Sequence, residues 1–268
     1  MALRFTSAAV GFPLLLLVIW LGSPWFSLVV ASVAAIGALE LCHMASKRSH
    51  RPVAFVAIIW TLALVTTAHI LSEDLSNETT AQALVGIVVF SYLVWQVQHA
   101  RGRVNLRDWG TTAGIALLTG GFLCYAPNLR ELDQGREWVF FLVIVTFATD
   151  TSAFVVGRNF GKRSLAPTIS PGKTWEGAVA GLLGSMAVSA ISSHLFDLNM
   201  SLTIALILGT LMGVVGQLGD LAESWLKRVT GVKDSGWLIP GHGGVLDRLD
   251  SIVFNLVLVY YFAIWAVQ

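Results

Sequence analysis

Charge is scarce in this chain. Only 12% of its 268 residues are Asp, Glu, Lys or Arg, against about 25% in soluble domains. With 55% hydrophobic residues and a mean hydropathy of +0.72, that shortage excludes a water-soluble globular protein and indicates an integral membrane protein. Neither sign of charge dominates: the net charge of +1 carries no message about nucleic acid, and no nucleic-acid partner is expected. Cysteine is nearly missing. Cys42 and Cys124 lie inside apolar segments with no second cysteine or histidine at zinc-ligand spacing, so both read as buried, reduced thiols. No cleavable signal peptide is expected, because the first apolar run, Phe5 to Leu21, exceeds a typical signal core and shows no clear small-residue cleavage site.

What is abundant is apolar length. Measured against the ~20 residues that cross ~30 Å of hydrocarbon, spans are expected near 5–22, 26–45, 53–72, 80–98, 110–127, 138–157, 177–196, 201–219 and 251–267. The fold class is therefore all-α, a polytopic membrane protein of about nine transmembrane helices. Alternating sides gather nearly all of the 17 basic residues on one face and leave only Arg130 and Arg136 opposite. The positive-inside rule then puts the N-terminus in the cytoplasm and the C-terminus outside. Trp25, Trp109, Trp138 and Trp265, near span ends, suit interfacial belts. Gly110, Gly114, Gly120 and Gly121 suit close helix packing. Asn77-Glu-Thr79 matches a glycosylation triplet of the kind that occurs by chance.

The chain reads as one membrane domain, with an apolar multi-span scaffold over 1–130 and a polar-bearing part over 138–268. Two basic segments, 157–177 and 220–250, carry the chemistry on the cytoplasmic face. The first begins at Asp150, inside the sixth span, and continues through Gly157-Arg158, Gly161-Lys162-Arg163 and Ser170-Pro-Gly-Lys-Thr-Trp-Glu-Gly177. An intramembrane aspartate is costly unless it meets a polar cavity, a cation or a basic partner such as Arg158. Gly172-Lys-Thr174 invites a phosphate-loop reading, but Pro167 stands where that motif needs its first glycine.

The second segment starts at Asp220. If the eighth span continues as helix, Glu223, Ser224, Lys227 and Arg228 recur at spacings of three or four and share a face. The chain should leave the helix after Gly231, pass Lys233 and Asp234, and reach Pro240-Gly-His-Gly-Gly244, where glycines let backbone amides approach an anion. Asp247 and Asp250 follow, around Arg248. Carboxylates beside lysine and arginine suit metal-dependent chemistry on phosphates. A basic loop that merely adheres to anionic lipid accounts for Lys227 and Arg228 but not for the carboxylates. His242 suits a phosphate contact or a hydrogen bond that shapes its turn.

Ser224-x-x-Lys-Arg, Lys233-Asp234 and His242-Gly-Gly-x-x-Asp-Arg-x-Asp250 resemble the signature of the phosphatidate cytidylyltransferases, or CDP-diacylglycerol synthases. The resemblance extends over most of 146–255, while the first ~130 residues resemble that family only as an apolar multi-span region. Gly172 departs mildly from it, standing where the family often has lysine or asparagine.

The resemblance implies transfer of a cytidylyl group from CTP to phosphatidic acid with Mg2+, as two divalent cations or as a divalent plus a monovalent cation. It implies Asp220 and Asp247 as the first metal-holding carboxylates, followed by Asp250, Glu223 and Asp150. Lys227, Arg228, Lys233 and Arg248 become catalytic phosphate clamps. Lys173, Ser224, His242, Gly243, Gly244, Arg158 and Lys162 become substrate contacts. A lateral opening near the eighth and ninth spans would admit lipid tails.

The expected location is a bacterial inner membrane, with membrane lipids as surroundings and the active site facing the cytoplasm; a homodimer is allowed but not required. Two rival readings are a cytidylyltransferase acting on another lipid phosphate and an ion-coupled transporter. The transporter would place ionisable groups near the midplane of related halves. Here they crowd one face, and no internal repeat is evident.

Overall fold

A computed structural model gives the architecture and describes residues 2–48, 50–70, 86, 91–92, 106–236 and 243–267. The chain is mostly helical: α1 (Ala2–Leu21), α2 (Trp25–Ser46), α3 (Ala54–Ile70), α4 (Leu106–Leu123), α5 (Tyr125–Glu131), α6 (Gly135–Phe160), α7 (Trp175–Leu195), α8 (Leu202–Thr230) and α9 (Asp250–Phe262). Between α6 and α7 lies an antiparallel ribbon of β1 (Ser164–Ala166) and β2 (Ser170–Thr174). Among the described residues α2, α6, α7 and α8 are long and apolar enough to cross a membrane, and shorter apolar helices cover 11–21, 54–66 and 250–265. The expected span at 80–98 and the Asn77 triplet fall almost entirely outside the described residues.

Local sequence explains the departures from the expected spans. The apolar run at 110–127 divides because the ring of Pro127 excludes a helical hydrogen bond to the carbonyl of Leu123, where α4 ends. The all-α expectation acquires its ribbon where Pro167 and Pro171 forbid helix. The strands pair Ser164 with Thr174 and Ala166 with Ser170, with an irregularity between. The eighth apolar run does continue, as α8, to Thr230. Gly231, at φ +75°, then ends it in a left-handed cap that few other residues adopt at low cost.

Packing divides the chain into two compact units, residues 23–128 and residues 1–22 with 129–268, so α1 groups with the later helices. In the first, α2, α3 and α4 pack together, and the buried hydroxyls of Thr61 and Thr119 share a 2.9 Å hydrogen bond. Of the glycines expected to pack there, Gly120 does so: a Cβ would fall 2.7 Å from the Thr61 carbonyl oxygen. Gly110 and Gly114 face no described atom within 4 Å. Both thiols are free, Cys42 buried and Cys124 half-buried.

In the other unit α7 lies between α6 and α8, and α9 packs on α8 and α6. Small residues set these separations. A Cβ at Gly177 would fall 2.7 Å from the Ala153 carbonyl oxygen of α6, and one at Gly209 would fall 2.8 Å from the Ser185 carbonyl oxygen of α7. One at Gly219 would meet the Asp250 carbonyl oxygen of α9 at 2.7 Å. Of the tryptophans expected near span ends, Trp25 and Trp265 are exposed, 60% and 81%. Trp138 is not: at 2% exposure it is a core residue, set edge-on to Phe141 and Phe262, because the helix turns it inward.

Candidate active site

The polar segments meet around the upper ends of α6, α8 and α9. At 1.5 Å of rise per residue, Asp220 lies about 27 Å along α8 from Leu202, close to the ~30 Å thickness of the hydrocarbon. Asp150 lies about 22 Å along α6 from Gly135. A cavity of about 390 Å³ opens there, with Asp150, Arg158, Lys173, Thr174, Gln217 and Asp220 among its lining. Asp150 is enclosed by protein on most sides, yet its carboxylate surface is open to this cavity. The Arg158 guanidinium lies 5.9 Å from the centre of the Phe154 ring.

Lys173 reaches the cavity because β2 presents it and Thr174 begins α7, accepting a hydrogen bond from the Gly177 amide at 3.1 Å. Glu176 accepts the amides of Lys162 and Arg163 at 3.1 and 3.3 Å and so closes the ribbon onto the helix start. The Lys173 ammonium stands 2.7 Å from Asp220 Oδ2 as a charge contact and makes no hydrogen bond to the described residues. Arg228 Nε donates to the Ile169 carbonyl at 3.0 Å, tying α8 to the ribbon.

A second knot lies on α8 one turn further on. Lys227 bridges Glu223 at 3.1 Å and Asp247 at 2.7 Å. Asp247, expected among the metal-holding carboxylates, has both its oxygens on protein donors. Oδ1 accepts from Lys227, while Oδ2 accepts from the Ser235 amide and hydroxyl at 2.9 and 3.0 Å and from the Gly244 amide at 2.8 Å. Burial works to raise this carboxyl, but the Lys227 ammonium and the two amides prevail and hold it below the usual carboxylate range. Gly243, at φ +85°, allows the turn; a Cβ there would also press on Asp247.

Asp250 joins the two knots: it senses the charges of Asp220, Glu223 and Asp150, and Asp150 senses those of Asp220, Lys173 and Arg248. Ser251 donates its hydroxyl to Asp150 at 3.4 Å. Lys162, Lys233 and Arg248 are exposed at the rim, Ser224 is half-buried, and His242 lies outside the described residues.

A profile of the cytidylyltransferase family matches residues 2–265, almost the whole chain. The phosphatidate cytidylyltransferase of Staphylococcus saprophyticus is 39% identical over 186 residues, 68% of this chain and 69% of its own. That of Bacillus subtilis is 30% identical over 257 residues, covering 95% and 93%. The one from Synechocystis is 32% identical over 289 residues, covering 97% and 96%.

The chain belongs to the cytidylyltransferase family.

Membership extends the likeness beyond the polar segments to the apolar first half. In this cytidylyltransferase the Lys173 ammonium touches Asp220 and the Lys227 ammonium touches Glu223 and Asp247, while Asp150 and Asp250 stand near enough to sense the charge of Asp220. Buried Glu223 Oε2 receives no donor from the described residues. Such an excess of oxygen acceptors suits a hard cation. Among the described residues no three histidine, cysteine or carboxylate groups enclose a metal site by themselves. Magnesium, which retains waters and shares substrate phosphates, does not require such a cage.

Sequence reasoning did not single out Ser235, Gln217, Thr146, Ser251 or Asn255. Gln217 and Asn255 carry an evident signal, a side-chain amide inside an apolar span. The α8–α9 seam, near the expected lateral opening, is closed at Gly216 and Gly219; the cavity lies between α6, the ribbon, α7 and α8.

Proposed function

We propose that this chain transfers the cytidylyl group of CTP to phosphatidate, giving CDP-diacylglycerol and pyrophosphate. A phosphate oxygen of phosphatidate attacks the α-phosphorus of CTP, and the bond from that phosphorus to the bridging oxygen breaks. The electron pair leaves with pyrophosphate. Phosphate is already largely ionised at neutral pH, so the protein's task is alignment and charge neutralisation rather than covalent catalysis.

The observation that carries this reading is the meeting of Lys173 from the ribbon with Asp220 from α8 in one cavity, beside Asp150 and Arg158. The relatives' shared name supplies the substrates. Lys173 and Arg158 suit the phosphates within the cavity. Arg228, Lys233 and Arg248 suit a polyanion arriving from water, with Lys162, Ser224, His242, Gly243 and Gly244 as further contacts. Mg2+, as two divalent cations or as one divalent and one monovalent, would neutralise phosphoryl oxygens, held by Asp220, Asp250, Asp150 and Glu223, with Asp247 beside them. Nine spans, a cytoplasmic N-terminus and an external C-terminus would set the site on the cytoplasmic side of a bacterial inner membrane. Soluble CTP and bilayer-held phosphatidate can meet there.

Purified protein in phosphatidate-containing nanodiscs with labelled CTP and Mg2+ should release pyrophosphate and form CDP-diacylglycerol, and chelation should abolish both. Product with an isoprenoid or archaeal ether-lipid phosphate alone would assign a different lipid. Ion uptake by vesicles without any CTP-dependent product would overturn the transferase reading.

A further inference from the structure

One turn beneath the carboxylates, three helices meet at a polar contact that the chemistry above does not use. Asn255 of α9 is fully buried, and its Nδ2 donates to Thr146 Oγ1 of α6 at 3.1 Å. The same amide fills a notch on α8: a Cβ at Gly216 would fall 2.8 Å from Nδ2. Its Oδ1 is buried and receives no donor from the described residues. Each member stands four residues from a group of the site above it. Thr146 precedes Asp150 on α6, Gly216 precedes Asp220 on α8, and Asn255 follows Ser251, the donor to Asp150, on α9. Residues four apart lie one above the other on a helix, so this contact fixes the level at which the helices cross just beneath the cluster.

An amide with an unsatisfied oxygen is a poor filler for an apolar interior, where a leucine of similar size would cost less. A buried polar contact does, however, fix register, because sliding one helix past another breaks it. Leucine contacts tolerate such sliding.

We propose that Asn255, through Thr146, is a positioning residue for the carboxylate cluster, setting the register of α9 on α6 and α8 and hence the spacing of Asp150, Asp220 and Asp250. This rests on the reading of that cluster as the cation-holding part of the site. Asn255 touches neither substrate nor cation; it acts through the helices.

The test compares Asn255→Leu, Thr146→Val, Thr146→Ser and the double variant Asn255→Leu/Thr146→Val with the parent. It uses Mn2+ binding without substrate, followed by electron paramagnetic resonance, and separate kcat and KM values for CTP. Thr146→Ser keeps the hydroxyl and should behave as the parent. Thr146→Val and Asn255→Leu should each weaken Mn2+ binding and lower kcat by about 10- to 100-fold, the scale of a small misplacement of catalytic groups, while KM changes little. Because one bond is lost in each, the double variant should lose no more than the worse single variant.

Parental Mn2+ affinity and kcat in both Asn255→Leu and Thr146→Val would overturn the proposal, as would a Thr146→Ser protein impaired as far as Thr146→Val. Should Asn255→Leu fail to fold, the contrast between the two Thr146 variants decides. A parent that turns over CTP without binding Mn2+ also overturns it. A parent that binds Mn2+ without turnover sinks the transferase reading instead, and the affinities of the variants then decide the positioning role.

Discussion

Asp247 and Asp220 carry the same charge but stand in different surroundings, and substitution should separate them. Asp247 gathers Lys227, Ser235 and Gly244 around its oxygens and so ties α8 to the turns on either side of 237–242. Asp247→Ala should lower kcat by at least about 100-fold by releasing Ser235 and Gly244 from α8, with the membrane-spanning helices still formed by circular dichroism. The sign of its pH dependence follows from the lowered folded pKa. Its contribution to stability is complete above the ordinary carboxylate pKa of about 3.9 and is lost as pH falls through the lower folded value. Thermal melting of the parent should therefore show no Asp247-dependent change between about pH 6 and 8 and an acid-side loss that Asp247→Asn lacks. Asp220 meets an ammonium instead of a saturated shell, and under the proposed function CTP would compete for the same Lys173. Lys173→Met should raise KM for CTP about tenfold or more, one charge-assisted contact being worth that much; an unchanged KM in steady-state assays would remove Lys173 from the nucleotide's path.

At the scale of elements, the seam between α6 and α7 holds the site together, because α6 carries Asp150 and the ribbon leading into α7 carries Lys173. Gly177→Ala places a methyl 2.7 Å from the Ala153 carbonyl oxygen and 3.1 Å from Gly157 Cα, and backbone cannot yield as a side chain does. It should destabilise the protein by about 1–3 kcal/mol and lower activity, read from melting in detergent and from turnover. Gly172→Ala meets nothing within 4 Å and should change neither. Helices as elements were legible because apolar length is a long, redundant signal. The end of α8 was legible from the charge spacing before Gly231. The ribbon was not, since its strands of three and five residues are too short to show periodicity. Nor could the sequence pair Lys173 with Asp220, or turn Trp138 inward. Those facts depend on how α6, α7 and α8 rotate against one another, and that rotation is set by glycine contacts no single segment reveals.

For the whole molecule the decisive question is sidedness, because the transfer needs water-borne CTP and bilayer-borne phosphatidate at one boundary. At 1.5 Å per residue α7 is about 31 Å long, enough to cross the hydrocarbon. Its two ends should therefore meet opposite solvents. Lys162 is exposed beside the first end, where its amide is held by Glu176, and His194 is exposed at the other. The near absence of cysteine makes the test direct: with Cys42 and Cys124 replaced by alanine, a single new thiol reports one position. Lys162→Cys should react with a membrane-impermeant maleimide only after the cells are opened, whereas His194→Cys should react in intact cells with a permeable outer envelope. The rest of the orientation follows from that pair, since the basic rim and the carboxylate cluster lie at the Lys162 end. If both thiols react in intact cells, α7 does not cross. If only Lys162→Cys reacts there, the site faces away from the cytosolic nucleotide pool and the proposed substrate could not reach it.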